Sequence, residues 1–278
     1  MKSEKGIEFG HYLRRGLFYA LVILVVGVFI FPFGWMVFGS FKANVDLLNL
    51  PPRLFSGFTL QNYGSVFLKT NFVSSLINST IVSGGAVLVG LVLGLPSSYA
   101  IARYKYRTAA FGILFTRMIP GISLLVPWFI LYRQIGTLDS YPGLIASHLV
   151  LTLPMIVWIM IGFFEDIPAD IEESALIDGC GRWKAFYKIA LPLVKPGIVT
   201  SAILGFIFSW NHFLFALILS GSRTRTLPVI VFQFIQYEEI NFGGLYASAT
   251  LITLPVIVFV LVVQKQFISG LTIGGVKG

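Results

Sequence analysis

The sequence has few charged residues and almost no cysteine. Asp, Glu, Lys and Arg make up 12% of its 278 residues, about half the share of an ordinary soluble domain, while 56% of the residues are hydrophobic. The only cysteine is Cys180, which excludes an internal disulfide framework and a CxxC metal site and leaves a small packing residue as its simplest role. These shortages favour a membrane protein over a soluble one.

Motifs for phosphate binding and catalysis are also missing. The sequence has no G-x-x-x-x-G-K-[ST], no H-E-x-x-H and no G-x-S-x-G, and its three histidines are scattered. We therefore expect neither an enzyme nor a bound cofactor or metal in this chain. The net charge of +8 is not a sign of nucleic acid binding, because the basic residues form short clusters between long uncharged runs.

Apolar runs long enough to cross a bilayer, which takes roughly 20 residues, recur along the chain. The first, from Leu17 to Phe41, is too long for a signal peptide and has no cleavage site, so it is a retained anchor. The fold class we predict is all-α, with six transmembrane helices in a single domain, 1–278. The predicted spans lie near 17–40, 74–101, 109–131, 143–164, 197–219 and 245–267.

The distribution of Lys and Arg predicts that both termini are cytoplasmic. With the termini inside, the inner side carries thirteen of these residues and the outer side six, as expected for membrane proteins. The inner residues are Lys2, Lys5, Arg14, Arg15, Arg103, Lys105, Arg107, Arg182, Lys184, Lys188, Lys195, Lys265 and Lys277.

The loop 165–196, placed inside by this orientation, is the most polar stretch of the chain. Asp170 is predicted to cap a helix with Glu173 as its third residue, and Gly179 to end it in a left-handed turn. A second helix is predicted from Arg182 to Ala190. One face of it carries Trp183, Phe186, Tyr187 and Ala190. An amphipathic element lying on the lipid surface is an equally good interpretation from these physical arguments alone.

The loop resembles the EAA loop of ABC-importer permeases, whose pattern is EAA, three residues, G, nine residues, I-x-L-P. Here Glu173-Ser174-Ala175 precedes Gly179 by three residues, and nine more lead to Ile189-Ala190-Leu191-Pro192, with Ser174 as the one departure. The resemblance implies that the loop seats in a cleft of a separate ATPase. The residues it assigns to this coupling are Glu173, Ser174, Ala175, Asp178, Gly179, Cys180, Phe186, Ile189, Leu191 and Pro192.

Further stretches resemble the maltose-type branch, and in particular its smaller permease. They are Thr59–Tyr63, Asn78-Ser79, Tyr99–Arg103 and the C-terminal tail. The resemblance implies that this tail enters the interface between the ATPase subunits. The tail residues concerned are Gly270, Leu271, Thr272, Gly274, Gly275 and Lys277. An amino-acid or phosphate permease is the nearest competing interpretation, and the tail argues against it.

The partners implied are those of a sugar importer in a bacterial or archaeal cytoplasmic membrane. They are a second, homologous permease, two copies of an ATPase that bind ATP and Mg, an external sugar-binding protein and the sugar itself. No nucleic acid is expected. A secondary transporter driven by an ion gradient is the rival class, but no acidic residue lies within any predicted span.

Polar residues within the spans are candidates for the substrate pathway, because they are costly in a bilayer. Arg117 either lines the pathway or snorkels or pairs with a partner helix. Trp210, Asn211 and His212 form a cluster suited to a sugar, although a packing hydrogen bond is the alternative for His212 and for Asn78. Glycines in the second span favour close helix packing, and prolines in two later spans favour either kinks or packing. These residues are Gly84, Gly85, Gly90, Gly94, Pro120, Pro127 and Pro154.

Overall fold

The computed structural model describes residues 2–49, 57–235 and 240–273, and their side chains over 14–49, 57–235 and 240–264. Within these residues all regular structure is helical, apart from two isolated bridges. The predicted all-α class is therefore confirmed. The helices are α1 (Lys2–Ser40), α2 (Asn44–Leu48), α3 (Gln61–Lys69), α4 (Phe72–Tyr104), α5 (Arg107–Thr116), α6 (Gly121–Gln134), α7 (Tyr141–Glu165), α8 (Ala169–Ile177), α9 (Arg182–Ala185), α10 (Leu191–Leu193), α11 (Lys195–Trp210), α12 (Leu214–Leu219), α13 (Leu227–Ile230) and α14 (Phe242–Ile273).

Four helical segments of the described chain are long and apolar enough to cross a membrane without a break. They are Arg14–Ser40, Phe72–Tyr104, Tyr141–Glu165 and Phe242–Gln264, and each overlaps a predicted span. Two further pairs of helices qualify only if each bent pair counts as one span. The chain is thus a multi-pass membrane protein, and the number of six spans stays a prediction.

The predicted third span, 109–131, is wrong as a single helix. It is divided into α5 and α6, which meet at an angle of 83°. Proline 120 explains the break, because its ring disfavours helical backbone at Ile119 and it lacks the N–H that would continue the ladder. Arg117 consequently lies at the C-cap of α5 and is exposed, not inside a continuous helix as predicted.

The predicted fifth span, 197–219, is also divided. Helix α11 ends at Trp210, and α12 begins at Leu214. On its N-terminal side α11 makes an angle of 74° with the helical segment Arg182–Leu193 of the polar loop. Pro127 and Pro154, by contrast, lie inside unbroken helices, α6 and α7.

The described residues form two compact units, of which the first comprises 1–69 and 234–251. In this unit Asn62, from the stretch Thr59–Tyr63, donates to the carbonyls of Ser40 and Lys42 at 2.9 and 2.8 Å. The ammonium of Lys42 is 3.8 Å from the centroid of the Phe58 ring and the residue is only 1% exposed. These contacts hold the start of α3 and the residues before it against the end of α1.

The second unit, 70–233 and 252–278, contains the polar loop. Its centre is α4 packed on α7 and α11. Gly85, Gly90 and Gly94 bring α4 close to α7, because a Cβ at these positions would meet Ile145 or Ile156 at 2.6 to 3.0 Å. Gly84 has no such neighbour within 4 Å. Close packing is confirmed for three of the four glycines.

Candidate functional site

The first helix of the polar loop, α8, ends in a complete left-handed turn. Gly179 has φ +83°, its N–H donates to Leu176 O at 3.1 Å, and the N–H of Cys180 donates to Ala175 O at 2.9 Å. This pair of bonds is the Schellman arrangement, and it satisfies carbonyls that the helix end leaves free. The turn predicted at Gly179 is therefore confirmed.

The predicted start of this helix is wrong. Pro168 occupies the N-cap position with φ −56° and ψ 132°, and no side chain caps the helix. Asp170 lies inside the first turn, where its negative charge interacts favourably with the positive end of the helix dipole. The proline, with its fixed φ and no N–H to satisfy, starts the helix without a capping side chain.

The second helical segment of the loop runs further than the predicted Ala190. Residues Phe186–Ala190 form a π-helix between α9 and α10, and the segment continues to Leu193. Pro192 lies within α10, beyond the predicted end of the helix. A proline clashes with the carbonyl four residues earlier, so the wider π turn before it relieves the clash and keeps the helix going.

The aromatic residues of this segment divide between core and surface. Phe186 is 3% exposed, and its ring is 4.9 Å from that of Tyr99 on α4. Trp183 and Tyr187 are 67% and 61% exposed and stack on each other. Of the four residues predicted to share one face, only Phe186 and Ala190 therefore face the core, and the two other aromatics lie on the outer surface of the loop.

An exposed surface extends from these aromatics over α8. Glu173, Ser174, Asp178 and Gly179 are exposed, and Ile177 is 86% exposed. Such a mixture of exposed apolar side chains and acidic groups is typical of an interaction surface. Of the other matched residues, Ala175, Cys180, Ile189 and Leu191 are partly buried.

Sequence reasoning missed Glu172. This residue, next to the matched Glu173, is 6% exposed and forms an ion pair with Arg103 at the end of α4. Its second carboxylate oxygen accepts from the hydroxyl of Tyr99 at 2.7 Å. The available signal was the i, i+4 spacing of Tyr99 and Arg103, which puts both on one face of a helix end.

Asn78, one of the pathway candidates, is buried and fully engaged. Its side-chain amide donates to the carbonyls of Arg223 and Arg225 at 3.0 and 2.9 Å, and its oxygen accepts from Tyr141 at 2.7 Å. These bonds fasten the segment between α12 and α13 to α4. The geometry favours the packing alternative for this residue.

Three further pathway candidates, Trp210, Asn211 and His212, lie at the break between α11 and α12. Trp210 is buried, Asn211 is exposed and donates to Ile207 O at 2.8 Å, and His212 is partly buried. The ring of His212 lies 5.2 Å from that of His148, which is bonded to Ser209 at 2.8 Å. The structure thus brings His212 to a second histidine, and it leaves Arg117 apart at the α5–α6 break.

Asp139, which the sequence analysis did not single out, also holds the segment between α12 and α13 in place. Its carboxylate accepts from the backbone N–H groups of Gly221, Arg223 and Thr224 and from the Thr224 hydroxyl, at 2.7 to 3.2 Å. Burial alone would raise the pKa of Asp139. The hydrogen bonds outweigh it and hold the pKa below its usual value.

The tail assignment lies largely outside the described residues. Gly270, Leu271 and Thr272 belong to the backbone of α14, which reaches Ile273. Gly274, Gly275 and Lys277 fall beyond the residues that the structure describes, and so do all side chains from 265 onward.

Comparison with known proteins identifies the class. Residues 86–272 match the family described as the binding-protein-dependent transport system inner membrane component, and the chain belongs to that family. The resemblance to ABC-importer permeases is therefore confirmed, and the chain is a transport permease, not an enzyme.

Two relatives match this chain over nearly the whole of both sequences. The trehalose transport system permease protein SugB of Mycobacterium tuberculosis is 38% identical over 275 residues, covering 95% of this chain and 99% of that protein. The trehalose/maltose transport system permease protein MalG of Thermococcus litoralis is 33% identical, covering 96% and 98%. A chain of a bacterial ABC transporter that imports the polysaccharide alginate has a TM-score of 0.72 at 23% identity, covering 90% and 96%, which shows the shared fold.

Proposed function

We propose that the chain is the six-span permease of a sugar importer, working by alternating access. It pairs with a homologous permease, while two copies of an ATPase bind ATP and Mg, and an external binding protein delivers the sugar. Both termini lie in the cytoplasm of a bacterium or archaeon. The sugar class rests on the names of the relatives, which include trehalose, trehalose/maltose and diacetylchitobiose permeases, so a disaccharide, oligosaccharide or related glycoside is expected.

The observation that carries this proposal is the surface of the polar loop. The Schellman turn at Gly179 joins two helical segments, and around it Glu173, Ile177, Trp183 and Tyr187 are exposed together. A rigid projection with an apolar surface and exposed acids, Glu173 and Asp178, fits a cleft in a separate protein. We assign that cleft to the ATPase, with Glu173 as the charged contact.

We assign the remaining predicted sites in the same way. The tail 270–278 is a second contact with the ATPase pair. Trp210, Asn211, His212 and Arg117 belong to the substrate pathway, where aromatic faces and amide or imidazole groups suit a sugar.

The test compares two glycines of the loop. A Cβ would meet nothing within 4 Å at either Gly179 or Gly181, but only Gly179 has a positive φ. Valine resists that backbone at a penalty of about 1–2 kcal/mol. We expect Gly179→Val to insert but to import less sugar per ATP hydrolysed in proteoliposomes, and Gly181→Val to behave as wild type.

The assay uses the complete complex with its binding protein and the sugar which that protein retains. Normal uptake by Gly179→Val would contradict the role of the turn. Purification of the wild-type chain with no ATPase attached would refute the proposed function itself.

A further inference from the structure

Two adjacent glutamates of α8 differ sharply in exposure. Glu173 is exposed, whereas Glu172 is 6% exposed and points to the inner end of α4. We propose that the Glu172–Arg103 ion pair, together with Tyr99, is the mechanical link that makes the polar loop and α4 move as one body. This inference rests on the proposed function and gives Glu172 a positioning role distinct from that of Glu173.

Every oxygen of the Glu172 carboxylate is used in this link. Oε1 accepts from Arg103 Nε at 2.9 Å and from the second guanidinium nitrogen in the ion pair. Oε2 accepts from the Tyr99 hydroxyl at 2.7 Å. The three donors come from two residues of α4 that are one helical turn apart. Together they fix both the position and the orientation of the carboxylate.

The same two residues of α4 also hold the rest of the loop. Arg103 Nη1 donates to the carbonyl of Ile167, just before α8, at 3.2 Å. The Tyr99 ring contacts Phe186 in the π segment at 4.9 Å and Phe164 on α7 at 5.4 Å. One turn of α4 thus contacts both helical segments of the loop, and it also contacts α7, the helix that precedes the loop.

The loop has most of its polar attachments in one place. Within 165–196, all of which the structure describes, one side-chain hydrogen bond that leaves the loop joins Thr200 on α11 to Pro196 O, and the others end on Tyr99, Arg103 or Tyr104. The last of these is the bond from Arg182 to Tyr104. Movement of the loop should therefore carry the inner end of α4 with it.

An ion pair suits this task because the loss of either partner destabilises the contact. In a low-dielectric setting, loss of one partner leaves the other charge uncompensated, so the pair resists separation. The variant Glu172→Gln keeps the shape of the side chain and one acceptor oxygen but removes the negative charge. It should loosen the link while α8 remains folded, since Glu172 is its only residue in such a pair among those the structure describes.

The experiment measures the distance between loop and α4 in the assembled complex. Spin labels are placed at Ile171→Cys on α8 and Leu88→Cys on α4, both exposed, in a Cys180→Ser background. Pulsed electron paramagnetic resonance is recorded without nucleotide and after trapping with ATP and vanadate. We expect one narrow distance distribution, unchanged by trapping, when Glu172 is present.

Glu172→Gln should broaden this distribution and shift its mean on trapping. It should also lower the amount of sugar imported per ATP hydrolysed by about two- to thirty-fold, the usual range for a perturbed coupling. The matched control is Glu173→Gln, which leaves the distance distribution narrow. The exchanged pair Glu172→Arg with Arg103→Glu should narrow the distribution again.

Tyr99→Phe provides a milder variant in case Glu172→Gln fails to assemble. It removes a single hydrogen bond and should broaden the distribution less. A narrow, unchanged distribution in both variants, or a nucleotide-dependent shift in the wild-type chain, would overturn the proposal. Failure of the proposed function is separate, because it appears earlier as a wild-type chain that recruits no ATPase.

Discussion

At the scale of single residues, several side chains hold loops in place through hydrogen bonds to the backbone. Asn78 holds the carbonyls of Arg223 and Arg225, and Asn62 holds those of Ser40 and Lys42. In each case an amide on a helix satisfies backbone groups that irregular segments leave unpaired. Two of the stretches that resembled the maltose-type branch, Thr59–Tyr63 and Asn78-Ser79, thus help to hold loops in place.

Asp139 allows a prediction about pH. Asparagine also tolerates the left-handed backbone at this position, φ +52°, so Asp139→Asn removes the charge with little strain. At pH 7 we expect a loss of about 1–3 kcal/mol, because hydrogen bonds to a charged acceptor are replaced by weaker ones. A lower melting temperature in detergent is the measurement.

The pH dependence follows from the direction of the shift. The pKa of Asp139 is lowered in the folded chain, so its stabilisation is fully present above the unfolded pKa of about 3.9 and is lost as the pH falls through the folded value. The wild-type chain and Asp139→Asn should therefore differ in stability at pH 7, and the difference should shrink as the pH falls below about 3.9. A constant difference over this range would show that the charge is not responsible.

At the scale of elements, the packing of α4 on α7 depends on one side of α4. Gly90 is buried, and a Cβ there would lie 2.7 Å from Ile156 Cδ1 and 3.5 Å from Leu149 Cδ1. Gly84, less than two turns away, meets nothing within 4 Å. Two glycines of the same helix therefore have different structural demands.

We expect Gly90→Leu to destabilise the chain by about 1–3 kcal/mol, because the added atoms overfill the α4–α7 contact. Gly84→Leu should change stability by no more than about 0.5 kcal/mol in the isolated chain. Thermal unfolding of the purified chain in detergent compares the two. Equal effects would mean that helix propensity, and not packing, sets the result.

The sequence predicted the unbroken spans well and the broken ones poorly. The second and fourth spans were placed within a few residues of α4 and α7, because hydropathy and bilayer thickness determine their length. A kink at Pro120 was one of the two alternatives left open, but the complete break was not predicted, since a proline either kinks or ends a helix according to what packs around it.

The site was predicted in part for a similar reason. Local rules gave the turn at Gly179, which depends only on backbone freedom. They did not separate Glu172 from Glu173, because the choice is made by Arg103 and Tyr99, about seventy residues earlier in the chain. Long-range pairing of this kind is visible only once the helices are packed.

At the scale of the whole molecule, the chain combines a matched region, 86–272, with a preceding segment that contains α1. Basic residues cluster on the side predicted to be inner, in 103–107 and 182–195. Arg103 and Arg182 both make contacts between the loop and α4, so part of the charge that orients the chain also attaches the loop.

The one cysteine makes this topology testable without further substitutions. Cys180 is unpaired and partly exposed in the loop predicted to be cytoplasmic. A membrane-impermeant maleimide should label it in inside-out vesicles holding the chain without its partners, and not in intact cells. A Cys180→Ser chain gives the background, and labelling in intact cells would reverse the predicted orientation.

The link between Glu172 and α4 also determines how chimeras of related permeases should be built. Residues 165–196 transplanted alone from a relative would meet a foreign Tyr99, Arg103 and Tyr104, and the acceptor and its donors would come from different parents. A graft that includes 99–104 keeps donors and acceptor together. If the loop contacts an ATPase as proposed, the first boundary for exchanging that specificity therefore belongs in the middle of α4, not at the start of the loop, and the second lies beyond Leu193.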